Sequence, residues 1–375
     1  MDPAEANLSW VAADGHRGPL ARIAGLADRF AWPLRTSHYA ELVNPRWSSH
    51  ALRATVEECW DETQGVRTLK LRPGRGFRPH RAGQHVRVGV PVRGAYCLRT
   101  YSISSAPERE DGCLTLTVKA VPSGRVSEHL VREIQPGASL WLGQAQGDFV
   151  LPEAGAGRAL FVTAGSGITP IMSMLRSLAP RGALSDIVHV HYAKTAADVI
   201  FGEELARLAR EHPGYRLHLV ETRAAGAGRA RFTAAQLGAF CPDFRDRDAY
   251  ACGPQGLLAD VEAHWDRAGL SSRLHVERFR AALAEAPVGA AGGVVRFTRS
   301  DRELAADGRT SLLRVAEEAG LRPTHGCRMG ICHSCSVTLR AGCVRDLRNN
   351  VLIDEPGAKV QICVCAAAGD VELEA

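Results

Sequence analysis

The sequence predicts a multi-domain protein: an antiparallel β-barrel, then a parallel α/β domain, then a small α+β module. Three observations predict it. Short strands separated by turn signals run from residue 52 to residue 142. Strands then alternate with helical stretches between Ala159 and Trp265. Near the C-terminus three cysteines stand close together, and a fourth follows at a distance. The 375 residues suffice for two or three separate cores. With 45% hydrophobic and 23% charged residues the composition is that of an ordinary globular chain.

Residues 1–50 read as an N-terminal extension. Leu20 to Phe30 has the spacing of a short amphipathic helix. Trp32-Pro33 and Asn44-Pro45-Arg46-Trp47 are extended or turn segments, since a residue before proline avoids the helical region. The start, Met1-Asp2-Pro3-Ala4-Glu5, is acidic with no apolar core behind it, which argues against a secretory signal. No run of eighteen apolar residues occurs, so no membrane span is expected. Of eleven cysteines, four belong to the C-terminal motif. The rest read as reduced thiols, which places the chain in the cytoplasm.

The barrel is assigned to residues 51–152. Its strands are Leu52 to Trp60, Val66 to Leu71, Gln84 to Val90, Cys97 to Ser104, Leu114 to Ala120 and Ser139 to Leu142. Turns such as Arg72-Pro73-Gly74 and Gln135-Pro136-Gly137 separate them, the pattern of a small all-β barrel. One strand carries Arg99-Thr100-Tyr101-Ser102, with Gly83-Gln84-His85 before it. Alternation puts Arg99 and Tyr101 on one face and Ser102 on the other. An arginine can fork onto a pyrophosphate. A tyrosine ring offers a stacking plane, and a serine hydroxyl can bond a ring nitrogen. Alone the tetrapeptide is weak, because any strand can hold it for packing.

The α/β domain is assigned to residues 153–280. Its strands are Ala159 to Thr163, Ile187 to Ala193, Tyr215 to Glu221 and Ala249 to Cys252. Its helices are Ile171 to Leu178, Gly202 to Arg210 and a last one from Gly253-Pro254 to Trp265. Such alternation makes a parallel sheet with its ligand at the strand C-termini. Gly165-Ser166-Gly167-Ile168-Thr169-Pro170 lies at the first strand–helix turn, where glycines let backbone approach a phosphate. It is G-x-G-x-x-P and departs from the dinucleotide fingerprint at its last glycine.

Residues 281–292 are a linker of alanine, glycine and proline, and residues 293–375 form the last module. Val294 to Arg299 and Glu303 to Ala306 read as a hairpin, and Ser311 to Ala319 as a helix capped by Ser311. Ser336 to Leu339, Lys359 to Ile362 and Asp370 to Leu373 complete a small mixed sheet. Four residues separate Cys327 from Cys332, two separate Cys332 from Cys335, and 27 separate Cys335 from Cys363. This C-x4-C-x2-C…C spacing is that of a plant-type 2Fe–2S site, whose irons take four thiolates. A zinc site usually shows two close pairs, and a Rieske centre replaces two cysteines by histidines. His325 and His333 therefore read as loop residues. Cys365 rivals Cys363 as the fourth ligand; the spacing to Asp370 favours Cys363.

The formal net charge is +5. Residues 293–375 carry eleven basic and eleven acidic residues, so the excess lies upstream. Between Glu62 and Glu108 stand nine basic residues and no acid: Arg67, Lys70, Arg72, Arg75, Arg78, Arg81, Arg87, Arg93 and Arg99. Such a run is either a solvated face or a surface for phosphates, an acidic partner or a membrane. Aromatics do not interleave it, which argues against nucleic acid.

The order of these motifs resembles the ferredoxin-NADP reductase superfamily, over residues 50 to 375. More narrowly it is similar to the three-module oxidoreductases that feed electrons to oxygenases and desaturases. The Pro-Leu-Arg and Asn-Pro-Arg-Trp segments of the extension resemble the reductase partners of bacterial acyl-CoA desaturases. The resemblance implies a flavin β-barrel, an NAD(P)-binding α/β domain and a β-grasp-like 2Fe-2S ferredoxin domain. It implies that Arg99, Tyr101 and Ser102 hold FAD rather than FMN, that Val118 and Lys119 line its pocket, and that Thr169 sits near it. Arg125, Val126 and Ser127 would offer main-chain N–H groups to the pyrophosphate. Gly165, Gly167, Gly253 and Pro254 would bind the nicotinamide nucleotide, with Cys252 beside its ring. Ser102, Cys252 and Glu277 are the implied catalytic residues; Phe279 is a further position near them. The implied cluster ligands are Cys327, Cys332, Cys335 and Cys363. The aromatic that shields the flavin at the C-terminus of plant-type reductases is missing, because the ferredoxin module continues there.

Thr222, Arg223, Arg229, Arg231 and Phe232 resemble the cluster that grips a 2′-phosphate, and no acid occurs between Glu221 and Asp243. NADPH is therefore the expected cosubstrate, with NADH open. The implied path runs from NADPH through FAD and the 2Fe-2S cluster to a separate oxygenase or desaturase. A membrane di-iron fatty acyl desaturase is favoured, which allows peripheral contact with a membrane-bound partner. The alternatives are a Rieske-type or other oxygenase as acceptor, the iron–sulfur subunit of a dehydrogenase such as dihydroorotate dehydrogenase, or a redox-sensing interaction protein with a vestigial reductase.

Overall fold

The computed structural model describes residues 52–375 except 93–94, 123, 153–154, 224–230, 280–286, 288–289, 327, 329 and 331–332. The N-terminal extension, Arg229, most of the linker, Cys327 and Cys332 lie outside the described residues. The chain forms two compact units, one ending at Glu277 and the other starting at Arg278.

In the first unit, β1 (Arg53–Thr63), β2 (Val66–Pro73), β3 (His85–Val92), β4 (Ala95–Ser102), β5 (Leu114–Lys119) and β6 (Ser139–Leu142) form one antiparallel sheet. Their order is β4-β3-β6-β1-β2-β5. An Ile103–Leu116 bridge joins the two edges, and Ser104 N donates to Thr115 O at 2.8 Å. The sheet thus closes into the expected barrel, which leaves no open edge. Alternate residues such as Val86, Val88 and Val90 fill its core.

The barrel holds one element the strand pattern did not predict. α1 (Arg125–Arg132) follows β5 and buries Val126, Leu130 and Val131 at helical spacing. Its basic and acidic residues alternate with these apolar ones, which hid the period in a short stretch.

The α/β part has β7 (Ala159–Ala164), α2 (Ile168–Leu178), β8 (Ile187–Ala193), α3 (Gly202–Glu211), β9 (Tyr215–Glu221), α4 (Ala234–Phe240), β10 (Asp248–Cys252), α5 (Gln255–Arg267) and β11 (Leu274–Glu277). All its strand pairs are parallel, in the order β11-β10-β7-β8-β9. α2 starts three residues before the expected Ile171, because Pro170 falls in the first turn, where its missing N–H costs nothing. Ten of its eleven residues are buried, as befits a helix covered on all sides. α4 was not predicted; Thr233 caps it, accepting from Gln236 N at 3.1 Å.

α2 also fastens the sheet to the barrel. Ser173 Oγ donates to Ser105 O at 2.6 Å, and Arg176 Nη1 to Ser104 O at 2.7 Å. The guanidinium of Arg176 simultaneously pairs with Glu204 at 2.6 Å.

The second unit is a mixed sheet, β12 (Gly293–Phe297), β13 (Arg302–Ala306), β14 (Ser336–Asp346), β15 (Leu352–Ile353), β16 (Lys359–Gln361) and β17 (Cys365–Glu374), with α6 (Leu312–Glu318). The order is β13-β12-β17-β14-β15, with β16 on β14; only β12 and β17 run parallel. This is the expected α+β arrangement, with Leu312, Leu313, Val315 and Ala316 of the helix in its core. Ser311 stands at the helix N-cap, but its side chain makes no capping bond, which corrects the role expected of it.

Candidate functional site

The parallel sheet sets the position of the site. From β7 the chain steps through β8 to β9 on one side and then crosses to β10 and β11 on the other. Reversal of strand order opens a crevice at the C-termini of β7 and β10. The two sequence motifs fall there: Gly165-Ser166-Gly167 after β7, and Gly253-Pro254 after β10. Their contact is tight. A Cβ on Gly167 would sit 2.1 Å from Cys252 O, so only glycine allows it. Gly165 has φ +52, and the Thr169 hydroxyl donates to Ser166 O at 3.0 Å, which fastens the turn.

One residue in from that edge, register lines up Glu277, Cys252, Thr163 and His191 across β11, β10, β7 and β8. Cys252 is fully buried, and burial, then the nearby Glu277, push its thiol well above the ordinary range. It is therefore a neutral, compact side chain and not a thiolate. Burial pushes the Glu277 carboxyl up, while His85 pulls it back down. Glu277 Oε2 is buried with no hydrogen-bond partner among the described residues. Burial, then Lys119, lower His191 to about 4. Thr163 Oγ1 bonds His191 Nδ1 at 2.7 Å and His189 Nε2 at 2.8 Å, and His189 Nδ1 meets Tyr215 OH at 2.7 Å.

The barrel approaches from β3 and β4. Ser102 pairs in register with His85, whose Nδ1 lies 3.5 Å from Glu277 Oε1. Ser102 is 5% exposed on the outer face of β4, the face it shares with His85 and not with the core residue Val86, and its Oγ has no partner among the described residues. A buried hydroxyl left unbonded costs about 1–3 kcal/mol, so a ligand atom that bonds it is strongly favoured. Tyr101 and Arg99 occupy the opposite face, half-buried. Arg99 Nη1 bonds Leu98 O at 2.7 Å, which steadies the guanidinium against the strand.

Of the other candidates, Val118 is 1% exposed and belongs to the barrel core, leaving its main chain for a ligand. Lys119 is half-buried at the end of β5, its Nζ 3.9 Å from where a Gly165 Cβ would be. Burial, then Lys194, lower its amine, against the pull of Asp198. The turn and these two lysines make a patch that suits an anion. α1 begins at Arg125 after Gly124, with no side-chain cap, so its first N–H groups belong to an uncapped helix start. Val126 is buried, and Ser127 Oγ is committed to Val121 N at 3.1 Å and Gly124 O at 3.3 Å. The residues present thus fit a flat cofactor with a pyrophosphate.

Thr222 and Arg223 follow β9, where Thr222 N donates to Ala193 O at 2.8 Å. Arg223 and Arg231 are exposed. Phe232 is not beside them on the surface; it is 8% exposed and packs in the α/β core.

In the second unit, Ser336 pairs with Gln361, and Ile362 N donates to Cys335 O at 3.3 Å. This brings the end of the cysteine loop beside Cys363. Both thiols are buried, at 2% and 8% exposure. Cys365 is buried as well, in β17 opposite Asp346, and desolvation pushes its thiol up to about 12. Gly330 O, within the loop, accepts from Arg348 Nη1 at 3.1 Å and from Gln361 Nε2 at 3.0 Å. Asp346 holds Arg348 in turn, at 2.6 Å. A loop carbonyl held by two donors and two buried cysteines beside it suit a metal–sulfur centre.

One expectation changes. The basic run is not one face: Lys70 pairs with Glu58 at 2.9 Å and Asp111 at 3.4 Å, Arg67 with Asp61 at 2.8 Å, and Arg72 with Glu57. His85 and Arg348 were not singled out as site residues. The Gly83-Gln84-His85 segment was visible, but nothing in it points to residue 277.

The comparisons with known proteins agree with this geometry. An oxidoreductase FAD-binding domain model matches residues 66–150, an oxidoreductase NAD-binding domain model residues 161–263, and a 2Fe-2S iron-sulfur cluster binding domain model residues 295–368. An NADPH oxidoreductase of Mycobacterium tuberculosis is 47% identical over 365 residues, covering 96% of this chain and 94% of that one. A glycine betaine monooxygenase reductase subunit of Chromohalobacter salexigens is 30% identical, covering 83% and 90%. The solved structure of phthalate dioxygenase reductase superposes with a TM-score of 0.60 at 23% identity, covering 88% and 99%. Among the described residues no helix is long and apolar enough to cross a membrane.

Proposed function

The chain belongs to the three-module flavin and 2Fe-2S reductases of the ferredoxin-NADP reductase type, and from that premise we propose that it takes electrons from NADPH for a membrane di-iron acyl desaturase. It is an NAD(P)H oxidoreductase that uses FAD and a 2Fe-2S cluster. One observation supports this reading of the reacting centre: His85, the register partner of Ser102 in the barrel, stands 3.5 Å from Glu277, the register partner of Cys252 in the sheet.

When bound, the flavin supplies the conversion of a two-electron donor into single electrons, and the cluster supplies the one-electron outlet. The residues divide the remaining tasks. Ser102 Oγ would donate to a ring nitrogen, the Tyr101 ring would offer a stacking plane, and Arg99 and the start of α1 (Arg125, Val126, Ser127) would meet the phosphates. Val118 and Lys119 bound the pocket, and Thr169 fastens the turn beside it. Gly165, Gly167, Gly253 and Pro254 admit the nucleotide backbone, while the neutral Cys252 fills the space beside its ring. Glu277 holds or takes a proton at Oε2. Cys327, Cys332, Cys335 and Cys363 would ligate the irons.

NADPH is favoured by the exposed arginines Arg223 and Arg231 and by the name of the Mycobacterium tuberculosis relative. The desaturase reading draws on the Pro-Leu-Arg and Asn-Pro-Arg-Trp segments of the extension. The second reading, a Rieske-type or other oxygenase as acceptor, is favoured by the name of the glycine betaine relative.

The test is an anaerobic visible titration with NADPH and then NADH. Flavin and cluster bands should both bleach, at lower NADPH than NADH. A colourless, zinc-loaded protein would sink the reading. Reconstitution then separates the acceptors: turnover with desaturase membranes and none with a soluble Rieske oxygenase supports the first reading, and the reverse supports the second. In Arg223→Ala and Arg231→Ala the KM for NADPH should rise about ten- to a hundredfold, as a lost charge-assisted bond of about 1.5–3 kcal/mol requires. The KM for NADH should stay unchanged; an equal rise for both coenzymes would remove the 2′-phosphate role.

Arg348→Leu should shed iron faster than wild type and lower the cluster midpoint potential. It removes a bond to Gly330 O and a cation near Cys365 and Cys363, which favours the oxidised cluster. Potentiometry with electron paramagnetic resonance checks it, and an unchanged or raised potential counts against it.

A further inference from the structure

The strongest unexplained contact joins the barrel to the sheet at His85 and Glu277. His85 opens β3, and its main chain exchanges two 2.9 Å bonds with Gln146. Its ring lies on Gly147, φ +113, where a Cβ would come within 2.9 Å of Nδ1. Backbone and glycine therefore fix the ring. Its Nδ1 stands 3.5 Å from Glu277 Oε1, and the two side chains are 15% and 12% exposed. Two groups face this carboxylate among the described residues: His85 from β3 and the Cys252 thiol from β10. The thiol is neutral, so His85 is the one that can favour a charged Glu277. A pair built for stability would engage both carboxylate oxygens, since an unbonded buried acceptor is costly. Here Oε1 is engaged and Oε2 is left open.

We propose that His85 is a positioning residue for the proton traffic of the reaction, holding Glu277 charged through Oε1 so that Oε2 can accept. The inference rests on the reading that Glu277 stands at the reacting rings. A hydride brings two electrons and one proton into the flavin. Both electrons leave singly for the cluster and the terminal acceptor, so that proton must pass to a base. The N–H bond on the reduced ring breaks, and an O–H bond forms at Glu277 Oε2. A neutral Glu277 could not take it, and burial without His85 drives the carboxyl toward that neutral form.

The experiment uses the full chain loaded with FAD and cluster, as His85→Phe, His85→Gln and Glu277→Gln. The readout is the pH profile of anaerobic single-turnover cluster reduction by NADPH. In His85→Phe the acidic limb should move up by about one pH unit, a slowing of about tenfold on that limb. His85→Gln, which keeps an N–H donor, should recover part of it. In a Glu277→Gln background His85→Phe should add nothing. An unmoved limb, or additive effects, would overturn the proposal.

Where His85→Phe fails to hold FAD, the flavin-free protein gives the answer. A raised carboxyl pKa contributes stability at low pH that is lost as pH rises through it. Thermal stability from about pH 5 to about pH 8 should therefore fall more steeply in His85→Phe than in wild type. Equal slopes would overturn the proposal. If NADPH bleaches no band, the parent reading fails; if the bands bleach and the pH behaviour is unchanged, only the role of His85 fails.

Discussion

Cys335→Ser and Cys363→Ser should each empty the chain of iron, from about two atoms to near none, while FAD stays bound and NADPH-reducible. Serine keeps the size of the side chain but replaces a soft thiolate by an alkoxide precursor that iron–sulfur clusters do not select. Ile362 N bonds Cys335 O, and both cysteines are buried in the same core cluster. Cys365→Ser is the control. Its thiol sits in β17 opposite Asp346, pushed up to about 12, and the spacing to Asp370 selects Cys363 instead. Iron analysis and the visible spectrum decide it. Loss of iron in Cys365→Ser with retention in Cys363→Ser would exchange the two assignments. Zinc in place of iron in the wild type would remove the cluster altogether.

Arg247→Met should destabilise the first unit by about 3 kcal/mol, the lower end of the cost of breaking a buried ion pair. Arg247 is 1% exposed and binds two carboxylates, Asp186 and Asp243, each at 2.7 Å. It also donates to Asp186 O at 3.0 Å. Removing it strands two acids at the foot of the parallel sheet. Arg158 also pairs with both, at 3.0 and 2.7 Å, and Arg216 with Asp186 at 3.3 Å, which keeps the loss from the upper end.

The pH dependence has a definite sign. The Arg247 side chain holds Asp243 far below the carboxylate range, and its bond, with that of Arg158, outweighs burial at Asp186. Depressed carboxylates contribute stability above their unfolded pKa and lose it as pH falls through the folded one. The gap between wild type and Arg247→Met should therefore narrow as pH drops below about 4. Urea unfolding at several pH values checks both statements; a gap independent of pH would show that Arg247 acts through packing alone.

The sequence by itself determined the three modules and most of their elements. β8 falls on the predicted residues, Ile187–Ala193, because a mostly apolar run bounded by polar turns leaves a buried parallel strand little choice, and β9, the half-exposed edge strand, falls on Tyr215–Glu221. The cysteine spacing and the Gly165–Pro170 turn were legible because each is local: a few residues must meet one ligand or one helix start. Neighbours distant in sequence were decided only by the tertiary structure. The basic run between residues 62 and 108 is neutralised in part by Glu57, Glu58, Asp61 and Asp111, since the β1–β2 register sets Glu58 opposite Lys70 and Asp61 opposite Arg67. His85 meets Glu277, and Arg247 meets Asp186, through packing of elements that no pattern links. Periodicity tells which face of an element is buried. What that face is buried against depends on register and on closure of the barrel and sheet, and those are properties of the folded chain.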